Sequence, residues 1–247
     1  MRKTFCQKKS AFSLIELSIV LIIIGLLIAG VTGGASLIKS SELRAVMNEA
    51  RGFQTAVNAF YTQFDALPGD YATAIGSNTA AGDADGYIEF HNGTRSESAN
   101  AWNMLKNTGG IDGISTAALT ADVTFKSDGT GSAPASKIKG AGWIFSHDTN
   151  SSASPGDNVV ILTGGSITAA SSATDIDSSS STSALVKIAL VPADALSIDS
   201  KLDDGVANTG KIKAVNPTSS TCSSAGTYTT TTTTKQCALS FKIDVNS

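Results

Sequence analysis

Apolar residues are unevenly spread along this chain. Residues 12–35 (FSLIELSIVLIIIGLLIAGVTGGA) form one unbroken apolar run of about 24 residues, and its single charged side chain is Glu16. A helix needs roughly 20 such residues to span a bilayer. Beyond the run the pattern turns periodic. Leu43, Val46, Ala50, Phe53, Val57, Phe60 and Phe64 recur at steps of three and four, and Met47 and Tyr61 widen the stripe. This spacing predicts an amphipathic helix with one face for a core. Glu42, Arg44, Asn48, Glu49, Arg51 and Gln54 occupy its other faces. Together the two halves predict one helix over residues 12–64, roughly 80 Å long. Gly33 and Gly34 each cost about 1 kcal/mol against Ala in a helix, so their junction is a soft spot. Leu67-Pro68-Gly69-Asp70 ends the helix, because a residue before proline is pushed out of helical angles.

The remaining pattern is shorter-ranged. Residues 71–96 read as loop. Residues 97–107 predict a second helix, with Ser96 as cap, Trp102 and Leu105 on a buried face and Gly109-Gly110 as the stop. Short β-rich runs at 141–145, 158–162 and 185–191, with a further candidate at 211–215, are bounded by Gly, Pro or Ser. Leu239, Phe241, Ile243 and Val245 alternate with polar residues, the period of a half-buried strand. The punctuation between these runs predicts an antiparallel sheet. Residues 169–183 and 218–234 are Ser/Thr-rich and read as exposed loops. Residues 198–205 read as an acidic turn held by local Asx hydrogen bonds. The expected class is α+β.

Charge orients the first run. Arg2, Lys3, Lys8 and Lys9 precede it, with no acidic residue among them. The positive-inside rule then keeps the N-terminus cytoplasmic and places everything after residue 35 outside. Glu16 is the anomaly, since a carboxylate near the bilayer centre costs roughly 2.5–3.5 kcal/mol and less towards an end. Such a residue usually has a partner and a role.

Lys8-Lys9-Ser10-Ala11 followed by Phe12-Ser13-Leu14-Ile15-Glu16 resembles the processing site of type IV pilins and type II secretion pseudopilins. The resemblance implies that a leader, residues 1–11, is cut between Ala11 and Phe12 by a membrane prepilin peptidase, that Phe12 is N-methylated, and that Glu16 serves assembly. The family usually has Gly before the cut; Ala11 stands there in this chain and is small enough for cleavage. The specific motif covers about the first 35 residues, with a weaker echo in Leu67-Pro68-Gly69-Asp70 and Asp203-Asp204-Gly205. A secretory signal peptide has an apolar core of about 7–15 residues, shorter than this one. A plain membrane anchor explains the length and the flanking charge, but neither Glu16 nor the helix that continues past the run.

On this basis residues 12–35 are a transmembrane and filament-core segment, and residues 36–247 are a globular domain outside the cytoplasm with a type IV pilin-like roll: a long helix packed on a C-terminal antiparallel sheet. The implied partners are other copies and other pilins in a helical filament, the prepilin peptidase, the bacterial inner membrane and a pilus or secretion assembly machinery. The location is a single-pass inner-membrane protein that passes into a periplasmic or cell-surface filament. Three roles fit: a pilus subunit, a pseudopilin of a type II secretion system, or a minor pilin that binds through its Ser/Thr-rich loops.

Composition narrows the chemistry. The net charge is −3 and aromatics are 6 % of residues, without the clustered basic patch of a nucleic-acid surface. Cys6 lies in the leader, while Cys222 and Cys237 lie on the translocated side, where an even pair favours a disulfide. Gly82-Asp83-Ala84-Asp85-Gly86-Tyr87-Ile88-Glu89 resembles part of a calcium loop. On the EF-hand template Gly86 and Ile88 fit, but the first position falls on Ala81 and the last on Asn92, where acidic ligands are wanted. A polar turn before a strand is the simpler account, so no metal site is assigned, and Asp83, Asp85 and Glu89 stand as the calcium candidates. His91 and His147 read as surface loop residues. No nucleophile elbow, phosphate loop or metalloprotease motif is present, which points to a structural subunit and not an enzyme.

Overall fold

The computed structural model describes residues 13–90, 96–115, 119, 131–148, 156–165 and 186–245. The chain divides into two units, Met1–Glu42 and Leu43–Ser247. One continuous helix, α1 (Leu14–Phe64), begins in the first and ends in the second. The class is α+β: the apolar N-terminal helix is followed by a C-terminal antiparallel sheet.

In the second unit the periodic stripe is the core face of α1. Leu43, Val46, Met47, Ala50, Val57 and Phe60 are buried, and Phe53, Tyr61 and Phe64 pack against them. After Phe64 the chain leaves helical angles at Asp65, which is left-handed. Gly69 has φ +95°, and a Cβ there would lie 2.7 Å from the carbonyl oxygen of Glu97. The turn after Pro68 therefore requires glycine.

The second helix, α2 (Glu97–Asn107), starts where the sequence places it. The Ser96 hydroxyl accepts a hydrogen bond from the Ala99 amide at 3.1 Å and donates to the Phe90 carbonyl at 2.8 Å. Most of its polar stripe is turned inward: Asn100 and Asn103 are buried, and Asn107 is exposed at the end. The side-chain amides of Asn100, Asn103 and Asn107 donate to carbonyls of Gly69, Asn78 and Ile75 respectively. The loop that follows α1 is thus laid over α2, and the asparagines satisfy its backbone.

Four strands form the main sheet: β1 (Ala141–Asp148), β2 (Asp157–Gly164), β3 (Ile212–Val215) and β6 (Ala238–Lys242), in the order β1-β2-β6-β3, all antiparallel. Phe145, Val160, Phe241 and Ile212 lie in one row across it. The last strand therefore inserts between earlier ones. The opposite face, with Ile144, Val159, Ile161 and Ser240, is buried as well. The expected half-buried strand at the C-terminus is instead covered on both sides, and Ser240 is accommodated because its hydroxyl bonds to the Lys213 carbonyl at 3.2 Å.

The segment expected as a strand at 185–191 is described from residue 186 and is not one. Leu190 makes a single bridge with Cys237, and Pro192 then opens a third helix, α3 (Pro192–Leu202), which the sequence reading lacks. The expected acidic turn at 198–205 accordingly begins only at Asp203, the residue after α3. Asp204 accepts from the Val206 amide and the Thr209 hydroxyl, and these bonds hold its carboxyl below the usual range. Asp199 is buried on α3 and accepts from the Gly205 amide and the Tyr228 hydroxyl, at 3.2 and 2.8 Å. Within 218–234, read as loop, residues form a small hairpin, β4 (Ser223–Ser224) and β5 (Thr227–Tyr228). The Ser/Thr-rich stretch 169–183 lies outside the described residues.

A disulfide joins Cys222 to Cys237, both buried, with Cα atoms 4.7 Å apart. It anchors the hairpin beside the start of β6. Cys222→Ala should lower stability by about 3 kcal/mol, the chain-entropy value for a loop of about 15 residues. Equilibrium denaturation of the full chain with and without reductant measures it.

Glu49, assigned by periodicity to a face away from the core, ties α1 to the sheet margin. Its Oε2 accepts from Trp143 Nε1 at 3.0 Å and the Ser136 hydroxyl at 2.9 Å, and its Oε1 accepts from the Lys137 amide at 3.1 Å. Glu49→Ala leaves the Trp143 donor without this acceptor and should cost about 1–3 kcal/mol, whereas Arg51→Ala on the exposed face should fall within about 0.5 kcal/mol of wild type. Chemical denaturation of the two variants compares them.

Candidate functional site

The described part of the N-terminal segment starts at Ser13; Ala11, Phe12 and the basic leader lie outside the described residues. Helix α1 begins at Leu14, and its first turn is closed by side chains. The Ser13 hydroxyl accepts from the Ile15 amide at 3.4 Å, and Glu16 Oε2 accepts from the Ser13 amide at 2.8 Å. Glu16 thus makes its half of a capping box, while the Ser13 hydroxyl caps the second amide of the helix instead of the third. The Ser-x-x-Glu spacing is visible in the sequence, although the sequence reading gave Glu16 only an assembly role. Its carboxylate also lies at the positive end of the helix dipole.

From Leu14 to Val31 the large apolar side chains are 45–89 % exposed. The hydroxyls on this surface do not present free donors. Ser18, Thr32 and Ser36 donate to the carbonyls of Ile15, Ile28 and Gly33 at 2.9, 3.0 and 2.9 Å. Backbone and hydroxyl polarity is thus satisfied within the helix, as hydrocarbon surroundings demand. A Cβ at Gly25, Gly30, Gly33 or Gly34 would meet nothing within 4 Å, so no contact among the described residues requires these glycines. Among the described residues this is one helix long and apolar enough to cross a membrane.

The acidic candidates lie in the second unit. Asp83 and Asp85 are exposed and Glu89 is half-buried. The fold brings them to two further carboxylates. Oxygens of Asp70, Asp83 and Asp85 lie within 4.8 Å of one another, and so do those of Asp83, Glu89 and Glu97. Asp70 organises the loop: its two oxygens accept from the amides of Asp85 and Gly86, both at 3.0 Å. Burial raises the Asp70 carboxyl above the usual range, against the lowering effect of the Gly86 amide. Burial also pushes Glu97 up to about 8; the Glu89 amide works against this, and the charges of Asp83, Glu89 and Asp70 add to it. Sequence reasoning missed Asp70 and Glu97 because neither belongs to the run of alternating acids. The signal for Glu97 was its place directly after the cap of α2. Asn92, the template's last position, lies outside the described residues.

His147 is a strand residue on β1, not a loop residue, and stacks on Tyr87 at 4.1 Å. No described carboxylate, serine or cysteine is hydrogen-bonded to its imidazole, so it forms no catalytic pair among the described residues.

No curated protein and no solved structure gives a significant match to this chain. Residues 6–32 match the profile of the prokaryotic N-terminal methylation motif. That match ends inside the apolar half of α1, on the segment whose large apolar side chains are exposed. The chain therefore carries, at its N-terminus, the signature of the type IV pilins and pseudopilins.

Proposed function

We propose that this protein is a prepilin, a structural subunit of a type IV pilus-like filament that is stored in the bacterial inner membrane and assembled through its N-terminal helix. The methylation motif over residues 6–32 carries this reading. The exposed apolar surface of residues 14–31 supports it, because that surface needs hydrocarbon or other helices around it. The N-terminus is cytoplasmic, the peptidase cuts between Ala11 and Phe12, and Phe12 is then N-methylated. Partners are further copies, other pilins, the peptidase and the assembly machinery. The same motif serves a pseudopilin of a type II secretion system; recovery of the protein in sheared surface filaments separates the pilus from the short periplasmic assembly.

Cleavage creates a cationic amine at Phe12, four residues before Glu16, a rise of about 6 Å. Within one helix a full turn separates them, and Glu16 Oε2 already receives the Ser13 amide. Between two staggered helices the amine of an incoming subunit sits beside Glu16 of the docked one. Two groups that are costly in hydrocarbon then neutralise each other and set the axial register.

Mass spectrometry of the mature protein should find a chain beginning at N-methylated Phe12. A chain that still starts at Met1, or one cut after Gly34, contradicts the reading. Glu16→Ala and Glu16→Gln should both insert into the membrane yet fail to enter filaments without wild-type partners, scored by shearing and immunoblot. Normal assembly of Glu16→Ala alone removes the pairing mechanism.

A further inference from the structure

We infer that three lysines at the start of β1 dock onto the Asp85 turn of a second copy, so that subunits meet head to tail. Lys137, Lys139 and Lys235 are exposed. The first two lie on the turn before β1, which the Ala141 amide closes on the Ile138 carbonyl at 3.0 Å. Lys235 comes from the segment before β6, and its Nζ reaches the Lys139 carbonyl at 3.5 Å. No described acid forms an ion pair with any of the three. Glu49 lies beside the turn, but its oxygens are committed to the Trp143 indole, the Ser136 hydroxyl and the Lys137 amide. Three like charges thus share one corner of a chain whose net charge is −3. They repel one another there, and an acidic partner surface relieves that repulsion.

The other end of β1 has the opposite charge. Asn158 donates to the Gly86 carbonyl at 2.9 Å and accepts from the Ile88 amide at 2.7 Å, while Tyr87 stacks on His147. Asn158 and His147 face each other across β2 and β1. Asp85 is therefore fixed at this end of the sheet. It is exposed, its Oδ1 accepts the Tyr87 amide at 2.9 Å, and it enters no described ion pair. The seven steps from Ala141 to Asp148 cover about 23 Å, well beyond the screening length of about 8–10 Å. The two corners cannot neutralise each other within one chain. Between copies they can, and the contact is heterologous: each joined pair keeps one free basic and one free acidic corner. Such contacts propagate as an open helical assembly unless the rotation closes a ring. Complementary charge fixes partner and register more than it adds affinity. The inference rests on the filament reading and names a surface of the second unit through which copies recognise one another.

The test uses the full chain in the cells that assemble it, with the native disulfide intact. Asp85→Cys and Lys139→Cys in one chain, treated with a short bis-maleimide, should give a ladder of dimers, trimers and longer species in sheared filaments. Either substitution alone should give no cross-linked species. Two singly substituted chains made together should stop at dimers. Both positions are exposed, so neither substitution disturbs the core. Separately, Lys139→Glu with Lys235→Glu should lower the filament yield at least about fivefold, because like charges then face each other. Adding Asp85→Lys to that chain should recover the yield. Filaments without the ladder, dimers from Lys139→Cys alone, or an undiminished yield from the lysine variant each overturn the inference and leave the filament reading standing. A yield that Asp85→Lys does not recover overturns Asp85 as the partner. Wild-type cells without filaments remove both readings.

Discussion

Phe53 of α1 meets Trp102 of α2 and Trp143 of β1 edge-on, with ring centroids 5.0 and 5.4 Å away. Trp102 in turn lies against Phe145 at 4.2 Å, and Trp143 against Phe241 at 5.4 Å. Five rings thus join two helices and two strands. Each such pair contributes about 0.5–1.5 kcal/mol beyond its buried area, but the larger consequence is geometric. The sheet is completed by its last strand, β6, which carries Phe241 into the row begun by Phe145. Aromatic residues are only 6 % of the chain, so concentrating them at this junction supplies the core that a Ser/Thr-rich composition would otherwise lack. Glu49 secures the same place from the polar side through the Trp143 indole.

The helix that carries Phe53 has two kinds of apolar surface. Over 43–64 its apolar residues recur every three or four positions and are buried by the chain itself. Over 14–31 they occupy every face, and the large ones are exposed. An all-round apolar helix in a soluble fold would be buried; exposed, it needs a different solvent. Glu16 is compatible with that solvent at the helix start, where it caps its own first turn through the Ser13 amide. A mid-helix carboxylate would have no such backbone donor, since the amides there are already spent on the helix.

Elements defined by their own period were legible in the sequence. The α1 stripe and the Ser96 cap of α2 needed no tertiary information. Elements defined by what covers them were not. Asn100, Asn103 and Asn107 have the spacing of a solvent face, and only the folded loop above them reveals that they bond its carbonyls. Residues 186–190 have strand composition, yet Pro192 ends the extended run and starts a short helix in which Ala195 and Ile198 are buried and Leu196 and Leu202 pack against the core. Ser240 is a polar position in the alternation of β6 yet does not face solvent, because Lys213 on the neighbouring strand offers a carbonyl. Of the N-terminal segment, the length, charge asymmetry and Phe-to-Glu spacing were all readable. Of the acidic cluster, the alternating acids were readable and Glu97 was not, since α2 brings it there from outside the loop.

Two buried carboxylates show how differently one residue class can be used. Asp199 is fully buried, and burial raises its carboxyl, but the Tyr228 hydroxyl and the Gly205 amide each hold one of its oxygens. The Tyr228 proton is held more tightly in return, chiefly through burial and then through that hydrogen bond. This pair links α3 to the hairpin inside the disulfide loop, and it is complete as it stands. Glu97 is buried almost as deeply, yet one amide is all that any described group donates to it, while its neighbours are other acids. Packing alone would favour Gln or an apolar residue at that position, where neither desolvation nor repulsion would oppose folding. Burial with full donation makes Asp199 a strut. Burial with a single described donor, beside Asp83 and Glu89, instead favours the protonated form of Glu97, whose carboxyl is pushed up to about 8.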